Sequence, residues 1–351
     1  MSRRPTSHDV ARLAGVGQAT VSRAMSGTGP VNEATRRRVL EAARKLGYQP
    51  NAAAASFNSG TFGCVALLTG MEVTRSLTPA MTLRAIDSAL AELGMHLTLA
   101  QVTDEKLSDE RFVPKILKSW MADGLLITYN ARVPATMRRL IDENRLPSVW
   151  LNSDQPTDCV RPDDQQAGQL ATEVLLHNGH RRIVFLEPGS ERRGGVVTPR
   201  RWHYSVAERF AGYRKAMTNA GLTPQTVTVE INQDSTEHLV QIGELLANRG
   251  QPDAPTAFVV YNQALLGSIA MVASQIGCHI PEDLSLITFV NEFRPAGSLP
   301  ADAIQLPDTE LGQVAVEMLI EKIRTQRGPS QPRLLAVKYV PGLTCRAVAG
   351  R

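Results

Sequence analysis

The chain has few cysteines, few aromatic residues and no long apolar run. Its four cysteines are far apart and form no C-x-x-C pair, which argues against a disulfide framework or a zinc site. No apolar run is long enough to span a membrane, and the N-terminus lacks the apolar run and cleavage site of a secretory signal. No phosphate-binding loop, nucleophile elbow or paired-carboxylate motif is found either. We therefore expect a cytoplasmic protein that is not an enzyme, with no cofactor and no metal site.

The positive charge is concentrated at the N-terminal end. A length of 351 residues suggests two or three domains, and the net charge is only +4. Residues 1–60, however, carry nine Lys and Arg against three Asp and Glu, a charge of +6, while the remainder carries 29 against 31. Because these charges fall on predicted helices, they indicate a polyanionic partner more than a solubilising tail.

The stretch Ser7–Gly27 predicts two short amphipathic helices joined by a tight turn. Ser7 occupies the expected N-cap of the first helix, and Gly15 supplies the positive φ that ends it. The second helix is predicted from about Gln18 to Met25. The residues expected to face inward are Val10, Ala11, Leu13, Ala14, Val21, Ala24 and Met25. This arrangement is a helix-turn-helix, whose second helix enters the DNA major groove, although similar pairs occur in folds that never contact nucleic acid.

A third helix and a short alanine run follow the pair. The third helix is predicted from about Glu33 to Leu46, with Asn32 as its N-cap and Gly47 at its end. Its expected inward stripe consists of Val39, Leu40, Ala43 and Leu46. The alanine run at 52–55 has high helix propensity but is too short to be stable alone, so we expect it to be helical only when docked.

From residue 61 onward, strand-like apolar runs alternate with helix-length segments. This alternation predicts parallel sheets that are covered by helices on both faces. Two series of strands indicate two similar subdomains, with a hinge near Cys159–Pro162 and a ligand cleft between them. The predicted strands lie near Phe62–Leu68, His96–Val102, Gly124–Thr128, Ser148–Leu151, Ile183–Glu187, Val227–Ile231, Thr256–Val260 and Leu284–Phe289. The predicted helices include Pro79–Leu93, Gln165–His177, Tyr204–Ala220, Ala264–Ile276 and Leu311–Ile323.

Several motifs, in order along the chain, resemble the lactose-repressor and purine-repressor (LacI-type) family of bacterial transcription regulators. The resemblance covers about residues 8–344, and its most specific pieces are at the N-terminus. The motifs are D-V-A-R-L-A-G-V at 9–16, T-V-S-R at 20–23, T-R-R-R-V at 35–39, L-G-Y-Q-P-N at 46–51, D-G-L-L-I at 123–127, G-H-R-R-I at 179–183, R-F-A-G-Y at 209–213 and I-P-E-D-L-S at 280–285.

The resemblance implies an all-α helix-turn-helix headpiece and an α/β core of two doubly wound parallel-sheet subdomains, like a periplasmic binding protein. The implied ranges are 1–49 for the headpiece and 50–60 for a hinge helix and linker. In the core, residues 61–161 with about 293–324 form the N-subdomain, and residues 162–292 with about 325–346 form the C-subdomain. The effector cleft is expected between these subdomains.

Family analogy assigns the DNA contacts. Gln18 and Ala19 stand at the base-contacting start of the second helix, where Gln18 can bond a base edge and Ala19 can offer only a methyl contact. Thr20, Ser22 and Asn32 are expected at phosphates, with capping or solvated polarity as the alternative. The implied DNA-binding set is Thr6, Ser7, Gln18, Ala19, Thr20, Ser22, Arg23, Asn32, Tyr48, Asn51, Ala54 and Phe57.

Phe57 holds the place where family hinge helices insert an apolar side chain, commonly leucine, into the minor groove. A phenylalanine there can unstack a base step and kink the duplex; the alternative is that it packs on the core when DNA is absent. The flanking positions, which often carry Arg or Gln in the family, are Ala54 and Ala55 here, so polar contacts in the groove are fewer.

The resemblance also implies the effector-binding residues Asn152, Arg209, Asn262 and Asn291. The guanidinium of Arg209 can clamp hydroxyls or a carboxylate, or it can form a structural ion pair. Two carboxylates common in the family pocket are replaced by Gln263 and Val290, and carboxylates repel anionic ligands. Their loss favours a sugar acid or phosphorylated sugar among small carbohydrate-type effectors. The arginines in 191–203 form either a basic lid or, more simply, a solvated loop.

The residues and the resemblance together predict a ligand-responsive transcription regulator. We expect a repressor that binds a pseudo-palindromic operator as a homodimer, with no membrane partner. The alternative is a soluble cytoplasmic small-molecule-binding protein of periplasmic-binding-protein-like fold that does not bind DNA. The basic headpiece and the lack of a signal peptide argue against that alternative.

Overall fold

The computed structural model describes residues 5–27, 29–49, 61–70, 78–129, 133–189, 191–193, 196–198, 203–229, 236–249 and 251–348. The chain divides into two compact units, residues 1–63 and 64–351.

The described part of the first unit contains three helices around a small core, as the sequence predicts. They are α1 (Ser7–Ala14), α2 (Gln18–Ser26) and α3 (Glu33–Leu46). Gly15, Gly27 and Gly47 end them in the left-handed conformation, which glycine adopts without strain. The buried residues are Val10, Ala11, Ala14, Val21, Ala24, Val39, Ala42 and Ala43.

Two leucines of this unit contradict the prediction that they face inward. Leu13 is 53% exposed and Leu40 is 46% exposed. The core of this unit consists mainly of alanine and valine side chains, so the apolar face that each helix buries is narrow. Leu40 follows the fully buried Val39, so its side chain is rotated about 100° around the axis of α3 and leaves the core. Ala42 is buried in the core instead.

The second unit has two lobes, each built on a six-stranded sheet. The first lobe has β1 (Cys64–Thr69), β2 (His96–Gln101), β3 (Gly124–Ile127), β4 (Ser148–Leu151), β5 (Cys159–Pro162) and, much later in the chain, β13 (Arg333–Leu335). The strand order is β13-β5-β4-β3-β1-β2, and every pair is parallel. Helices of this part of the chain are α4 (Ala80–Glu92), α5 (Asp104–Leu107), α6 (Ile116–Trp120) and α7 (Ala135–Glu143).

The second lobe repeats this plan. Its strands are β6 (Ile183–Pro188), β9 (Gln225–Val229), β10 (Ala257–Val260), β11 (Ser285–Val290), β12 (Asp302–Gln305) and β14 (Lys338–Val340). The order is β14-β12-β11-β10-β6-β9, with only β14 antiparallel to its neighbour. A separate hairpin joins β7 (Glu191–Arg193) to β8 (Val196–Thr198). The remaining helices are α8 (Asp164–His177), α9 (Ser205–Asn219), α10 (Glu237–Ala247), α11 (Gln263–Gln275) and α12 (Asp308–Thr325).

Each sheet has a hydrophobic cluster on both faces, which confirms the predicted doubly wound α/β core. The apolar runs are strands because both of their faces are buried: Val65, Leu125 and Val259, for example, are fully buried. The predicted strand near Val227–Ile231 begins earlier, at Gln225, and residues 230–231 lie outside the described part of the chain.

Among the described strands and helices, the chain passes between the lobes three times, and two of the predicted subdomain boundaries are wrong. The first crossing follows β5, as expected. The predicted boundaries at about 293 and 325 are wrong. Strand β12, which follows 293, belongs to the second sheet, and β13, which follows 325, belongs to the first. Helix α12 packs in the first lobe, so the crossings fall near 306 and between β13 and β14. Strands of three or four residues show no clear periodicity, so sequence cannot tell which sheet they join.

Candidate DNA-binding surface and interlobe site

The N-cap of α1 is Thr6 and not Ser7, which corrects the prediction from sequence. The carboxylate of Asp9 accepts hydrogen bonds from the Thr6 backbone N–H at 2.9 Å and from the Thr6 hydroxyl at 2.7 Å. This is a capping-box arrangement, in which the third helical residue bonds back to the cap. Ser7 is freed from capping, and its hydroxyl instead accepts a hydrogen bond from Gln18 Nε2 at 2.8 Å.

Helix α2 has one buried face and one exposed face. Val21 and Ala24 are buried in the core of the headpiece. The predicted DNA contacts Gln18, Ala19, Ser22 and Arg23 are all exposed, and Thr20 is half-buried. The four exposed side chains therefore lie outside the headpiece core, on the side of α2 that faces away from Val21 and Ala24.

Two further predicted contacts have structural partners within the headpiece. The side chain of Asn32 caps α3 by accepting a hydrogen bond from the Thr35 N–H at 3.1 Å, as the sequence predicted. Tyr48 is half-buried and packs against the headpiece core. Asn51, Ala54 and Phe57 lie outside the described residues.

In the second lobe, helices α8 and α9 pack backbone to backbone. A Cβ atom on Gly168 would lie 1.9 Å from the carbonyl oxygen of Arg209, and a Cβ on Gly212 would lie 2.0 Å from that of Gln165. Only glycine fits at these two places. The close approach brings Arg209, on α9, beside Asp164, the first residue of α8.

Arg209 forms a buried ion pair, the structural alternative that the sequence left open. Its Nε donates to Asp164 Oδ1 at 2.7 Å, and the two side chains are 8% and 1% exposed. Its Nη1 donates to the carbonyl of Tyr261 at 3.1 Å, and its Cζ lies 4.3 Å from the centroid of the Phe289 ring. Asp164 Oδ2 is buried and has no hydrogen-bond partner among the described residues.

A chain of hydrogen bonds runs from Tyr261 to Asn152. Ser205 Oγ lies 2.9 Å from the Tyr261 hydroxyl and 2.8 Å from Nδ1 of His203. His203 Nε2 lies 2.9 Å from the backbone carbonyl of Asn152, and the Tyr204 hydroxyl donates to Asn152 Oδ1 at 2.8 Å. The network therefore links the carboxyl end of β4 in the first lobe to the start of α9 in the second.

The proton positions in this network follow from the Asn152 carbonyl, which can only accept. Nε2 of His203 must carry the proton, so in the neutral ring Nδ1 accepts from the Ser205 hydroxyl. Ser205 Oγ then accepts from Tyr261. Burial lowers the pKa of His203 to about 4. The nearby charge of Asp164 and the hydrogen bond to the Asn152 carbonyl act to raise this pKa, but their effect is smaller. The ring is therefore neutral at pH 7.

Arg161, the third residue of β5, adds an ionic contact between the lobes. Its Nη1 donates to Glu208 of α9 at 2.7 Å, and its Nη2 lies 3.7 Å from Asp154 in the first lobe. Its guanidinium also lies over the ring of Tyr204, 4.7 Å from the centroid. Burial raises the pKa of the Tyr204 hydroxyl, which therefore stays protonated and donates its hydrogen bond.

The structure brings only two of the four predicted effector residues into this network. Asn152 accepts from His203 and Tyr204, and Arg209 donates to the backbone carbonyl of Tyr261. Asn262 uses its side chain to cap α11, accepting from the Leu265 N–H at 2.9 Å. Asn291 is half-buried directly after β11, and among the described residues it makes no hydrogen bond to the network.

Sequence reasoning missed His203, Tyr204, Asp164 and Arg161. None belongs to a recognisable motif, and their partners lie 45 to 52 residues away along the chain. One signal was present for Asp164. It lies between the predicted hinge and the start of the predicted helix, where a side chain stands at the carboxyl edge of the first sheet.

A carboxylate pair lies at the second crossing between the lobes. The carboxylate of Asp308, at the start of α12, accepts from the Glu292 backbone N–H at 2.8 Å, and Glu292 in turn accepts from Thr309. Burial raises the pKa of Asp308 to about 6, and the charge of Glu292 adds to this, while the backbone hydrogen bond opposes it.

Within the described ranges, no group of three or more His, Cys, Asp or Glu side chains is placed to hold a metal. His177 and His180, three apart in sequence, do not form one: His180 contacts Thr256 Oγ1 at 3.0 Å and the Arg346 carbonyl at 3.1 Å. No described helix combines the length and apolar character needed to cross a membrane.

A helix-turn-helix unit with an exposed polar helix face, joined in one chain to a two-lobed α/β core, defines the class of ligand-controlled DNA-binding regulators. Comparison with known proteins supports this class. Residues 6–51 match the family described as bacterial regulatory proteins, lacI family, and residues 172–345 match a periplasmic binding protein-like domain.

The relatives extend the match over nearly the whole chain. The HTH-type transcriptional repressor PurR of Photobacterium profundum is 30% identical over 325 residues, which cover 91% of this chain and 92% of that protein. A crystal structure of the lac repressor dimer bound to operator and the anti-inducer ONPF has a TM-score of 0.77 at 22% identity, covering 98% of this chain and 100% of that one. A complex of the transcriptional regulator CelR with cellobiose has a TM-score of 0.61 at 24% identity, covering 97% and 100%.

The chain belongs to the lacI family of bacterial regulatory proteins. It is a DNA-binding transcriptional repressor with a ligand-binding core. Membership confirms the resemblance drawn from the sequence motifs and decides against the alternative of a binding protein that does not bind DNA. The relatives are repressors and not enzymes, as the sequence analysis expected.

Proposed function

We propose that the chain binds a pseudo-palindromic operator as a homodimer, with the exposed face of α2 in the major groove. The carrying observation is that Gln18, Ala19, Ser22 and Arg23 are exposed while Val21 and Ala24 of the same helix are buried. A single headpiece of this size contacts few base pairs, and two-fold symmetry doubles the site. The lac repressor structure with a similar fold is a dimer on operator DNA, which supports the same assembly here.

The hydrogen bond from Gln18 to Ser7 bears on base recognition. It orients the Gln18 side chain toward the N-terminus of α1 in the absence of DNA. To bond a base edge, the amide must exchange Ser7 for the base or use its remaining donor and acceptor. Thr6, Thr20, Asn32, Tyr48, Asn51, Ala54 and Phe57 complete the proposed contact set, as inferred from the family resemblance.

The effector site is proposed in the cleft between the two lobes, around Asn152 and Arg209. Buried polar groups are concentrated there, at the carboxyl ends of β4, β10 and β11, where ligands of open α/β sheets bind. Asn262 and Asn291 follow two of these strand ends and are proposed at the margin of the site. A ligand that prefers one angle between the lobes would shift the protein between states of different operator affinity.

The effector is proposed to be a small carbohydrate, and the charges of the cleft favour a neutral one. Among the described side chains, both arginines of the cleft are paired: Arg209 with Asp164, and Arg161 with Glu208. Since His203 is neutral at pH 7, the described side chains offer no surplus positive charge to a sugar acid or sugar phosphate. The arginines of the 191–203 segment lie partly outside the described residues, so the basic lid remains only a hypothesis from sequence.

The deciding experiment measures binding of labelled DNA from upstream of the protein's own gene by fluorescence anisotropy, at two salt concentrations, with and without sugars. Specific binding should weaken steeply with salt, because several phosphates are neutralised. A scrambled duplex of equal length is the control. Equal affinity for both duplexes would contradict operator recognition, and the change caused by a sugar tells whether it releases DNA or promotes binding. Such a repressor would act in the bacterial cytoplasm, bound to the nucleoid.

A further inference from the structure

Two side chains at the start of the second lobe's α9 reach across the cleft to one residue of the first lobe. His203 bonds the backbone carbonyl of Asn152 at 2.9 Å, and Tyr204 bonds the side-chain oxygen of the same residue at 2.8 Å. Asn152 has a φ of 49°, in the left-handed region that asparagine tolerates better than most residues. Both oxygens of this single residue are thus bonded to the opposite lobe.

Each half of this contact is supported from its own side. His203 is oriented by the Ser205 hydroxyl, which in turn bonds Tyr261 at the end of β10. The ring of Tyr204 lies beneath the guanidinium of Arg161, and Arg161 also bonds Glu208 of the second lobe at 2.7 Å. The bridging side chains are therefore held by a network, which reduces the entropy cost of keeping them in place.

We propose that His203 and Tyr204 form an interlobe clasp on Asn152, which holds the lobes together without ligand and which the effector must displace. This rests on the proposed function, because it assumes that the effector binds in this cleft. The phenolic hydroxyl of Tyr204 is bonded to the oxygen that a sugar hydroxyl would use. Arg209, the other group proposed for the effector, is already bonded to Asp164 and Tyr261. Apart from Asp164 Oδ2 and Arg161 Nε, which have no hydrogen-bond partner among the described residues, these polar groups of the cleft thus bond one another.

The clasp predicts that weakening it makes the cleft easier to open and to fill. Tyr204→Phe removes the hydrogen bond to Asn152 and keeps the ring under Arg161. One such bond corresponds to about a 2- to 12-fold change in an equilibrium. We expect amide exchange in residues 148–155 and 203–209 to accelerate by about that factor, and the affinity for a binding sugar to rise by the same range.

Tyr213→Phe is the matched control. Tyr213 lies on the same helix and is buried, and its hydroxyl bonds the Ile183 and Gln225 carbonyls within the second lobe. That hydroxyl also accepts a hydrogen bond from the Gln225 N–H at 2.8 Å, so its loss removes at least as much hydrogen bonding as Tyr204→Phe does, but it touches no interlobe contact. Exchange in residues 148–155 should be unchanged in this variant.

The test combines hydrogen exchange by mass spectrometry with calorimetry on the full chain, using cellobiose, ribose, gluconate and glucose 6-phosphate as probes. Faster exchange on both sides of the cleft in Tyr204→Phe alone supports the clasp, and tighter sugar binding supports displacement. Unchanged exchange in residues 148–155, or weaker binding of a sugar by Tyr204→Phe, overturns it. If no probe binds any variant while exchange still accelerates, the clasp stands and the proposed carbohydrate effector is wrong.

Discussion

The ion pair between Asp164 and Arg209 allows the most direct test of how the interlobe site is built. Replacing Asp164 by Asn keeps the size of the side chain but leaves the Arg209 guanidinium, whose side chain is 8% exposed, without a counter-charge. Breaking a buried pair by removing one partner costs about 3–5 kcal/mol. We expect the lower end, about 3 kcal/mol, because Asp164 Oδ2 is already without a partner among the described residues and its desolvation offsets part of the attraction.

For a unit of this size, about 2 °C is lost for each kcal/mol, so the melting temperature should fall by about 6 °C. Differential scanning calorimetry of the full chain without ligand measures this. The double variant Asp164→Asn with Arg209→Met should recover most of the loss, because a buried pair replaced by neutral groups of similar volume is often nearly neutral for stability. Glu143→Gln, which breaks a pair that is exposed on both sides, is the control and should leave the melting temperature nearly unchanged. If the losses of the two single variants add in the double variant, the reasoning about the pair is refuted.

Three further changes have defined outcomes. Gly168→Ala should lower the melting temperature markedly, because the added Cβ would lie 1.9 Å from the Arg209 carbonyl oxygen. Gly267→Ala is the control, since nothing lies within 4 Å of the Cβ that it adds. Equal losses in the two variants would contradict the close packing of α8 and α9. Burial raises the pKa of Asp308 to about 6, from about 3.8 in the unfolded chain. The contribution of this group to stability is therefore fully present below about pH 3.8 and is lost as the pH rises through 6, a loss of about 3 kcal/mol in all. Asp308→Asn should therefore gain stability relative to the parent chain between pH 4 and pH 7 in urea titrations, and parallel curves would exclude this. Gln18→Ala should weaken the preference for one base over the others at one operator position, by roughly 1–3 kcal/mol of binding free energy. Fluorescence anisotropy with operators that carry single-base changes measures this. An unchanged preference would mean that another face of α2 contacts the bases.

The elements that sequence predicted well are those with a strong local signal. The caps of α3 at Asn32 and Gly47 follow from residue type alone, and the buried strands of both sheets follow from apolar runs. The N-cap of α1 was misplaced by one residue. Thr6 and Ser7 are both good caps, and only the hydrogen bond that the Thr6 N–H donates to the Asp9 carboxylate distinguishes them.

The interlobe network could not be predicted because its contacts are long-range. The ion pair of Arg209 depends on Gly168 and Gly212 letting two helices touch, and a glycine within a helical pattern gives no indication of its neighbour. His203 and Tyr204 resemble any polar and aromatic pair before a helix. Their role appears only when the fold brings them to Asn152, about fifty residues earlier in the chain.

The third crossing between the lobes has a consequence for how the protein is made. Strands β13 and β14 are separated by only two residues, yet the first completes one edge of the first sheet and the second completes one edge of the other. During synthesis, β5 of the first sheet and β12 of the second lack these neighbours until residues 333–340 have left the ribosome, although β5 is made much earlier. Neither sheet can therefore be completed before this last stretch of the chain has been made. A nascent chain stalled or cleaved before residue 333 would leave β5 and β12 without these neighbours, exposed to chaperones, proteases and other copies of itself.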